Sequence, residues 1–581
     1  MNTFYTVERN IQIVLSLMKA HGVKKVITSP GATDVSIVAS MQQDPYFELY
    51  SSIDERSAAY MACGMAAESG EPVALTCTGA TSSRNYMPGM TEAYYRHLPI
   101  LAITCCRSNV NVGHYVDQVT DRSNLPNDIA MESVYAQTVR CPEDEWDVMI
   151  KVNKAILGLS NNGGGPCHIN LATTYERDFS VKTLPPVRKI QRFCLGDTLP
   201  GIPVGKVGIF VGAHVQWSDE LVDAVDKFCS IYDAVVFCDH TSNYKGKYRI
   251  LFPLIMEQCG TTQLGELEPD LVIHIGYVSS SICKGKIMWR VNPDGVIRDT
   301  FRRTHNIFKM SEIDFFNHYV NVVANTERGN SLFEYYKSMY TKLLSDMPEL
   351  PFSNMWVAKQ LSDKLPERSV LHLGIRNSLR SWNYFDIPTS VLSYCNTGGF
   401  GIDGGISSLI GASFVHKDRL YYGVFGDLLF FYDMNSLGNR DISNNLRILV
   451  INNGLGQEFK NYSCFSSMFK EDTDKFIAAR GHFGNRTTSV IKNYAENLGF
   501  EYISASDKES FQNVCDRFLN PELTEKPILF EVVTNTEEES KACELITTIS
   551  TRSKLIKQTN DLLSRPEMVT VKKTIKKVLG K

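Results

Sequence analysis

Leu420-Tyr-Tyr-Gly-Val-Phe425-Gly426-Asp427-Leu428, followed by Leu446-Arg-Ile-Leu-Val-Ile451-Asn452-Asn453, is the stretch that decides the fold. Each half is a short apolar run that stops on polar groups. Runs of this length bounded by Gly and Asn read as strands buried on both faces. In an open parallel sheet, ligands bind beyond the carboxyl ends of the strands. Gly426 lets the backbone approach a phosphate closely. Asp427 offers a hard anionic oxygen, and Asn453, 26 positions later, a neutral carbonyl oxygen. The main-chain carbonyl of Leu455 is placed to add another. A small divalent cation such as Mg²⁺ takes a few such oxygens and fills its octahedron with phosphate oxygens and water. Asp427, Asn453 and Leu455 are therefore the expected metal ligands. The plainer alternative is a strand-end turn beside an Asn-rich loop.

Working outward, Val370-Leu-His-Leu373 and Ser390-Val-Leu-Ser393 supply further strands of the same unit, with helical stretches between. The first third of the chain alternates in the same way. A helix near Val7–Ala20 leads to the strand Lys25–Thr28 and the turn at Pro30-Gly31. Helices from Asp34 and over Asp54–Ser69 follow, then the strands Pro72–Thr76 and Ile100–Thr104. A Pro-containing stretch, Thr183–Arg188, reads as a linker. Lys206–Gly212 and Ala234–Phe237 begin a second unit that ends near the helix Ser331–Leu344. Strands alternating with helices imply parallel sheets covered on both faces. The expected class is α/β, three Rossmann-like doubly wound domains at 1–183, 190–345 and 350–550, with a basic helical tail over 551–581.

Composition narrows the function. The 581 residues are 43% hydrophobic and carry a formal net charge of -4, so nothing draws the chain toward nucleic acid. The 15 Cys contain no CxxC pair, which argues for a reducing, cytoplasmic setting over a disulfide framework or zinc knuckle. Met1–Val23 carries Glu8 and Arg9 within its apolar pattern and reads as an amphipathic helix, not a signal peptide. No uncharged apolar run approaches the roughly 18 residues that span a bilayer. From Thr551 there are nine Lys/Arg against two Asp/Glu, read as a solvated helix docked on the body.

Together these segments resemble the thiamine-diphosphate (ThDP)-dependent 2-oxo acid decarboxylase and carboligase superfamily. Its metal motif ends in Gly where this chain has Leu428, a change that one branch shares. The resemblance implies ThDP and Mg²⁺ as cofactors. It places Glu55, in Asp54-Glu55-Arg56, at the coenzyme's pyrimidine nitrogen, where a carboxylic acid favours the reactive tautomer. It puts Pro30, Gly31, Gly79, Asn377, Ser378, Gly401, Gly426, Asp427, Leu428, Asn453 and Leu455 along the coenzyme. Ile402, in Gly401-Ile402-Asp403-Gly404, would wedge between the two coenzyme rings and hold them bent. Gln118 and His114 would reach the substrate as candidate catalytic groups. Glu458 sits where some relatives place an acid or base. The coenzyme would lie at a subunit interface of a homodimer or homotetramer, with Glu55 and Asp427 from different chains.

The branch that looks most similar is SEPHCHC synthase (MenD) of menaquinone biosynthesis, through Ser29-Pro30-Gly31, Asp54-Glu55-Arg56, Tyr432-Asp433 and Asn452–Gln457. Three of its substrate-binding arginines are absent: Thr33, Thr397 and Trp382 stand near those places. Arginine reads carboxylates in bidentate fashion. The expectation is therefore a ThDP/Mg²⁺ carboligase that decarboxylates a small-molecule 2-oxo acid to an enamine and adds it to an acceptor, but not the menaquinone reaction. A plain decarboxylase and an acetolactate-synthase-like enzyme are alternatives. Gly399-Phe-Gly401-Ile-Asp-Gly404 formally satisfies GxGxxG, so an NAD-binding dehydrogenase is a rival from another class. A non-catalytic ThDP-binding scaffold is the last.

Overall fold

A computed structural model describes residues 4–214, 217–259, 268–322, 329–461, 464–481 and 489–564. Its fold is α/β, built on three parallel sheets with helices on their faces, the class expected from the sequence. The chain forms two compact units, Met1–Thr198 with Asp294–Lys309, and Leu199–Pro293 with Met310–Lys581.

The first unit holds a six-stranded sheet. Its spatial order is Glu48–Ser51, Lys25–Thr28, Val73–Thr78, Ile100–Cys106, Cys167–Ala172 and Glu132–Ala136, every neighbour parallel. The three strands from Val73 to Ala172 are buried at every residue, as sheets covered on both faces require. The helix Glu55–Ser69 starts where Asp54 accepts a hydrogen bond from the Arg56 amide, and Gly70, at φ 67°, stops it. Its small residues serve close packing: a Cβ on Gly89 of the helix Met87–Tyr95 would lie 2.5 Å from the Ala59 Cβ. The strand pair Gln191–Cys194 and Thr304–Lys309 also belongs to this unit.

The second unit holds the remaining two arrangements. One runs Arg249–Leu251, Ala234–Cys238, Val207–Val211, Leu271–Ile275 and Ile287–Val291, all parallel. The other runs Leu392–Tyr394, Val370–Leu373, Tyr421–Gly426, Leu446–Asn452, Ile528–Val533 and Glu501–Ala505. Its connectivity repeats that of the first unit's six strands. In both sheets the chain order reverses direction between the first and third strands, which is where such sheets open a crevice for ligands.

Boundaries differ slightly from the sequence reading. The first helix is Arg9–His21, ended by Gly22 at φ 82°. The strand expected at Ser390–Ser393 occupies Leu392–Tyr394, because Pro388 and the turn it opens take the preceding residues. The tail's first part, Thr551–Ser564, is a helix whose buried Ser553 donates to Gln258 at 2.9 Å. The expectation for Val571–Leu579 lies outside the described residues. Among the described residues no helix is long and apolar enough to cross a membrane.

Candidate functional site

The polar groups at the strand ends of the last sheet converge. Tyr421–Gly426 ends in an extended Gly426 and passes directly into the helix Asp427–Asp433. Nothing lies within 4 Å of where a Gly426 Cβ would sit. Asp427 is 2% exposed. Its Oδ1 accepts from the Leu428 amide and its Oδ2 from the Gly454 amide, both at 2.8 Å. Gly454 makes the second bond from φ 82°, a conformation that favours glycine. No Lys or Arg pairs with Asp427 among the described residues, and burial pushes its carboxyl up to about 7.

The Asn pair divides its labour. Asn452 donates to Glu531 at 2.7 Å inside the sheet. Asn453 keeps a buried Oδ1 with no hydrogen-bond partner. Buried carbonyl oxygens are normally paired, so this orphan and the cation-free Asp427 carboxylate together fit a hard cation held from this side. Among the described residues no group of three or more His, Cys, Asp or Glu is placed to hold a metal ion. A cation here would thus draw the rest of its shell from main chain, water and phosphate.

A cleft of about 400 Å³ collects most of the residues expected in this unit: Asn377, Ser378, Ile402, Gly426, Asp427, Leu428, Asn453 and Leu455 line it. Ile402 is partly buried against the core of Ile406, Phe425 and Leu429 and presents the rest of itself to the cleft. A Cβ on Gly401 would sit 2.2 Å from the carboxylate of Asp403, an exposed side chain. Asn377 opens the short helix Asn377–Trp382, and its Oδ1 accepts from Asn461 at 3.3 Å.

The first unit carries Glu55 on the opening turn of its helix. Glu55 is half-buried and accepts from Asn85 Nδ2 at 3.1 Å. Burial raises its pKa, but hydrogen bonds from Asn85 and Ser82 outweigh that and hold it below the ordinary glutamate value. Gly31 and Gly79 sit at the crevice of this sheet. A Cβ on Gly31 would fall 2.0 Å from Thr78 Oγ1, and one on Gly79 1.9 Å from an Arg122 nitrogen. Gln118, at φ 58°, and His114 lie on the exposed loop after Ile100–Cys106. No hydrogen bond joins either to Glu55 among the described residues.

Sequence reasoning missed four features. Glu539 is buried, accepts from the Asn354 amide and Thr534, and is pushed up to about 7 by burial, with Asp427 adding to the rise. Arg380 and Glu458 form a two-pronged ion pair at 2.7 and 2.8 Å, so Glu458 is committed to a cation rather than free as an acid or base. Arg122 is buried on Thr104 and Asn170. Arg376 lines the cleft at φ 69°. The ring of buried His240 contacts the carbonyls of Trp382 and Phe385, both at 2.9 Å.

Residues 10–125 match the family described as thiamine pyrophosphate enzyme, N-terminal TPP binding domain. Over those residues the chain resembles the N-terminal domain of thiamine pyrophosphate enzymes. It is 29% identical over 561 residues to 2-succinyl-5-enolpyruvyl-6-hydroxy-3-cyclohexene-1-carboxylate synthase of Bacteroides thetaiotaomicron, covering 92% of this chain and 98% of that one. To the Bacteroides fragilis enzyme of the same name it is 28% identical over 573 residues, covering 92% and 98%. Among solved structures it is similar to the Rhodococcus jostii RHA1 thiamine diphosphate-dependent 4-hydroxybenzoylformate decarboxylase, at 16% identity and a TM-score of 0.41, covering 91% and 100%.

These relatives overturn one expectation. The absent arginines argued against the SEPHCHC-synthase reaction, yet the chain matches proteins of that name along nearly their whole length. The physical error was to equate a fixed position with a function. Trp382, where an arginine was sought, is 1% exposed and points into the core, while Arg376 and Arg380 stand on the same turn of chain. A guanidinium can reach one ligand from neighbouring positions.

Proposed function

We propose that this enzyme performs ThDP-dependent carboligation of the SEPHCHC-synthase type. The relatives' name describes a cyclohexene carboxylate bearing a succinyl group. That group has four carbons, so a donor that loses CO₂ has five and is 2-oxoglutarate; isochorismate is the acceptor. The observation that carries the reading is the cleft, in which a buried carboxylate, an orphaned amide oxygen and Ile402 face one space.

When bound, the coenzyme supplies a thiazolium carbon that accepts the electron pair freed by decarboxylation. Asp427, Asn453 and the Leu455 carbonyl would hold Mg²⁺ against its diphosphate. Glu55, oriented by Asn85, would hold a proton at the pyrimidine nitrogen. Ile402 would support the bent coenzyme, with Pro30, Gly31, Gly79, Gly401, Asn377 and Ser378 around it. Gln118 and His114 would meet the substrate. The proposal includes three domains (1–183, 190–345 and 350–550), a cytoplasmic location and a homodimer or larger oligomer in which Glu55 and Asp427 serve one coenzyme from different chains.

The test is product analysis. With ThDP, Mg²⁺, 2-oxoglutarate and isochorismate, mass spectrometry should find one adduct that lacks CO₂ relative to the summed substrates. Glu55→Gln should keep ThDP binding and lose about 10²-fold or more in turnover. Absence of the adduct, or full activity in Glu55→Gln, would contradict the proposal.

A further inference from the structure

A second cavity of about 270 Å³ lies within the second unit. Its walls come from the helix Pro253–Cys259, from Ser279–Ile282 and from the segment Arg376–Tyr384. Arg376 and Phe400 line both this cavity and the coenzyme cleft, so the two spaces meet at that pair.

The charged groups and two of the serines around the cavity, Arg376 aside, are committed. Arg380 is held by both oxygens of Glu458. Ser279 and Ser281 donate to Asp239 at 2.7 and 2.8 Å. Glu257 accepts from Tyr384 at 3.2 Å. Arg376 differs. Among the described residues it is the one cation lining the coenzyme cleft, and no carboxylate pairs with it. Its guanidinium stands 5.4 Å from the centre of the Phe400 ring. The ring screens the guanidinium while its N–H groups, which radiate in its plane, remain for a ligand.

The backbone is unusual at both partners. Arg376 has φ 69° and ψ -109°, and Phe400 has φ 55°. Such conformations disfavour side chains with a Cβ and recur where the surrounding structure holds a group for use. A glycine would occupy position 376 without strain, but it would leave the meeting point of the two spaces without a cation.

We propose that Arg376 is the specificity determinant for the donor: it binds the carboxylate at the far end of a dicarboxylic 2-oxo acid. The inference rests on the functional reading above. It supplies from this chain's own sequence the cation that Trp382 and the neutralised Arg380 do not.

The experiment uses the full chain with ThDP, Mg²⁺ and acceptor, and compares wild type with Arg376→Gln, Arg376→Lys and Arg376→Gly. Initial rates are measured with 2-oxoglutarate and with 2-oxopentanoate, which has the same carbon chain without the second carboxylate. The Ki of glutarate, an unreactive dicarboxylate, is measured alongside. In the Gln and Gly variants the preference for 2-oxoglutarate should fall by about 10- to 100-fold, the loss of one charge-assisted contact, and the glutarate Ki should rise by a similar factor. Lys should restore part of both. Arg376→Gly relieves the backbone and should unfold at or above the wild-type temperature, so a folded variant is at hand. Wild type active on 2-oxoglutarate with both measures unmoved in the Gln and Gly variants overturns this inference alone. Wild type inactive on 2-oxoglutarate overturns the functional reading, and the inference with it.

Discussion

Asp34 is 2% exposed, yet it precedes a helix and keeps one carboxylate oxygen without a hydrogen-bond partner. Burial pushes its pKa up to about 7, against hydrogen bonds from main-chain amides that act the other way. The folded state therefore binds this proton more tightly than the unfolded state, whose value is about 3.9. The stability it contributes is fully present below about pH 4 and is lost as pH rises through about 7. We predict that Asp34→Asn flattens the fall in stability between pH 5 and 8, by roughly 1–3 kcal/mol. Urea unfolding at both pH values checks this, and an equal fall in both proteins would contradict it. At this scale the sequence was a good guide to residue type. It singled out Asp427 and Asn453, whose Oδ1 is orphaned, but it gave no sign that the neighbouring Asn452 serves Glu531 inside the sheet.

Among the elements, the most legible were those whose pattern was unmixed. Ile100–Cys106 and Leu446–Asn452 are buried throughout and read as strands at sight. Cys167–Ala172 is buried just as fully but carries His168 and Asn170, which mask it. Those side chains are satisfied internally, His168 by Thr104 and Ser133 at 2.8 and 2.9 Å, and Asn170 by Arg122 at 2.6 Å. Glu48–Ser51 is a short edge strand, mostly exposed, and has no apolar signature. Arg122 lies in the polar stretch Thr120–Asn124, where nothing marks it as buried. The turn at Gly79 shows the consequence. A methyl group there would displace the guanidinium that ties Thr104 to Asn170. Gly79→Ala should therefore destabilise the chain by about 1–3 kcal/mol. Adding Arg122→Met should recover part of that loss. Thermal or urea unfolding of the single and double variants measures both effects, and additive losses would contradict the account.

For the whole molecule, two six-stranded sheets of identical strand order lie in separate units, each with its crevice between first and third strands. The alternation of strand and helix made the fold class legible, and the strand-end residues made the coenzyme legible. Substrate choice was the part misread, because it depends on which cations remain unpaired, and pairing such as Arg380 with Glu458 appears only once the chain is folded. The central claim is that the cleft at Asp427 and Asn453 anchors the coenzyme through a metal. Isothermal titration of ThDP into the full chain tests it most directly, with Mg²⁺ or with EDTA, for wild type and Asp427→Ala. The account predicts about one ThDP bound per chain, abolished by EDTA and weakened at least about tenfold in Asp427→Ala. Metal-independent binding, or binding undiminished in the variant, would contradict it.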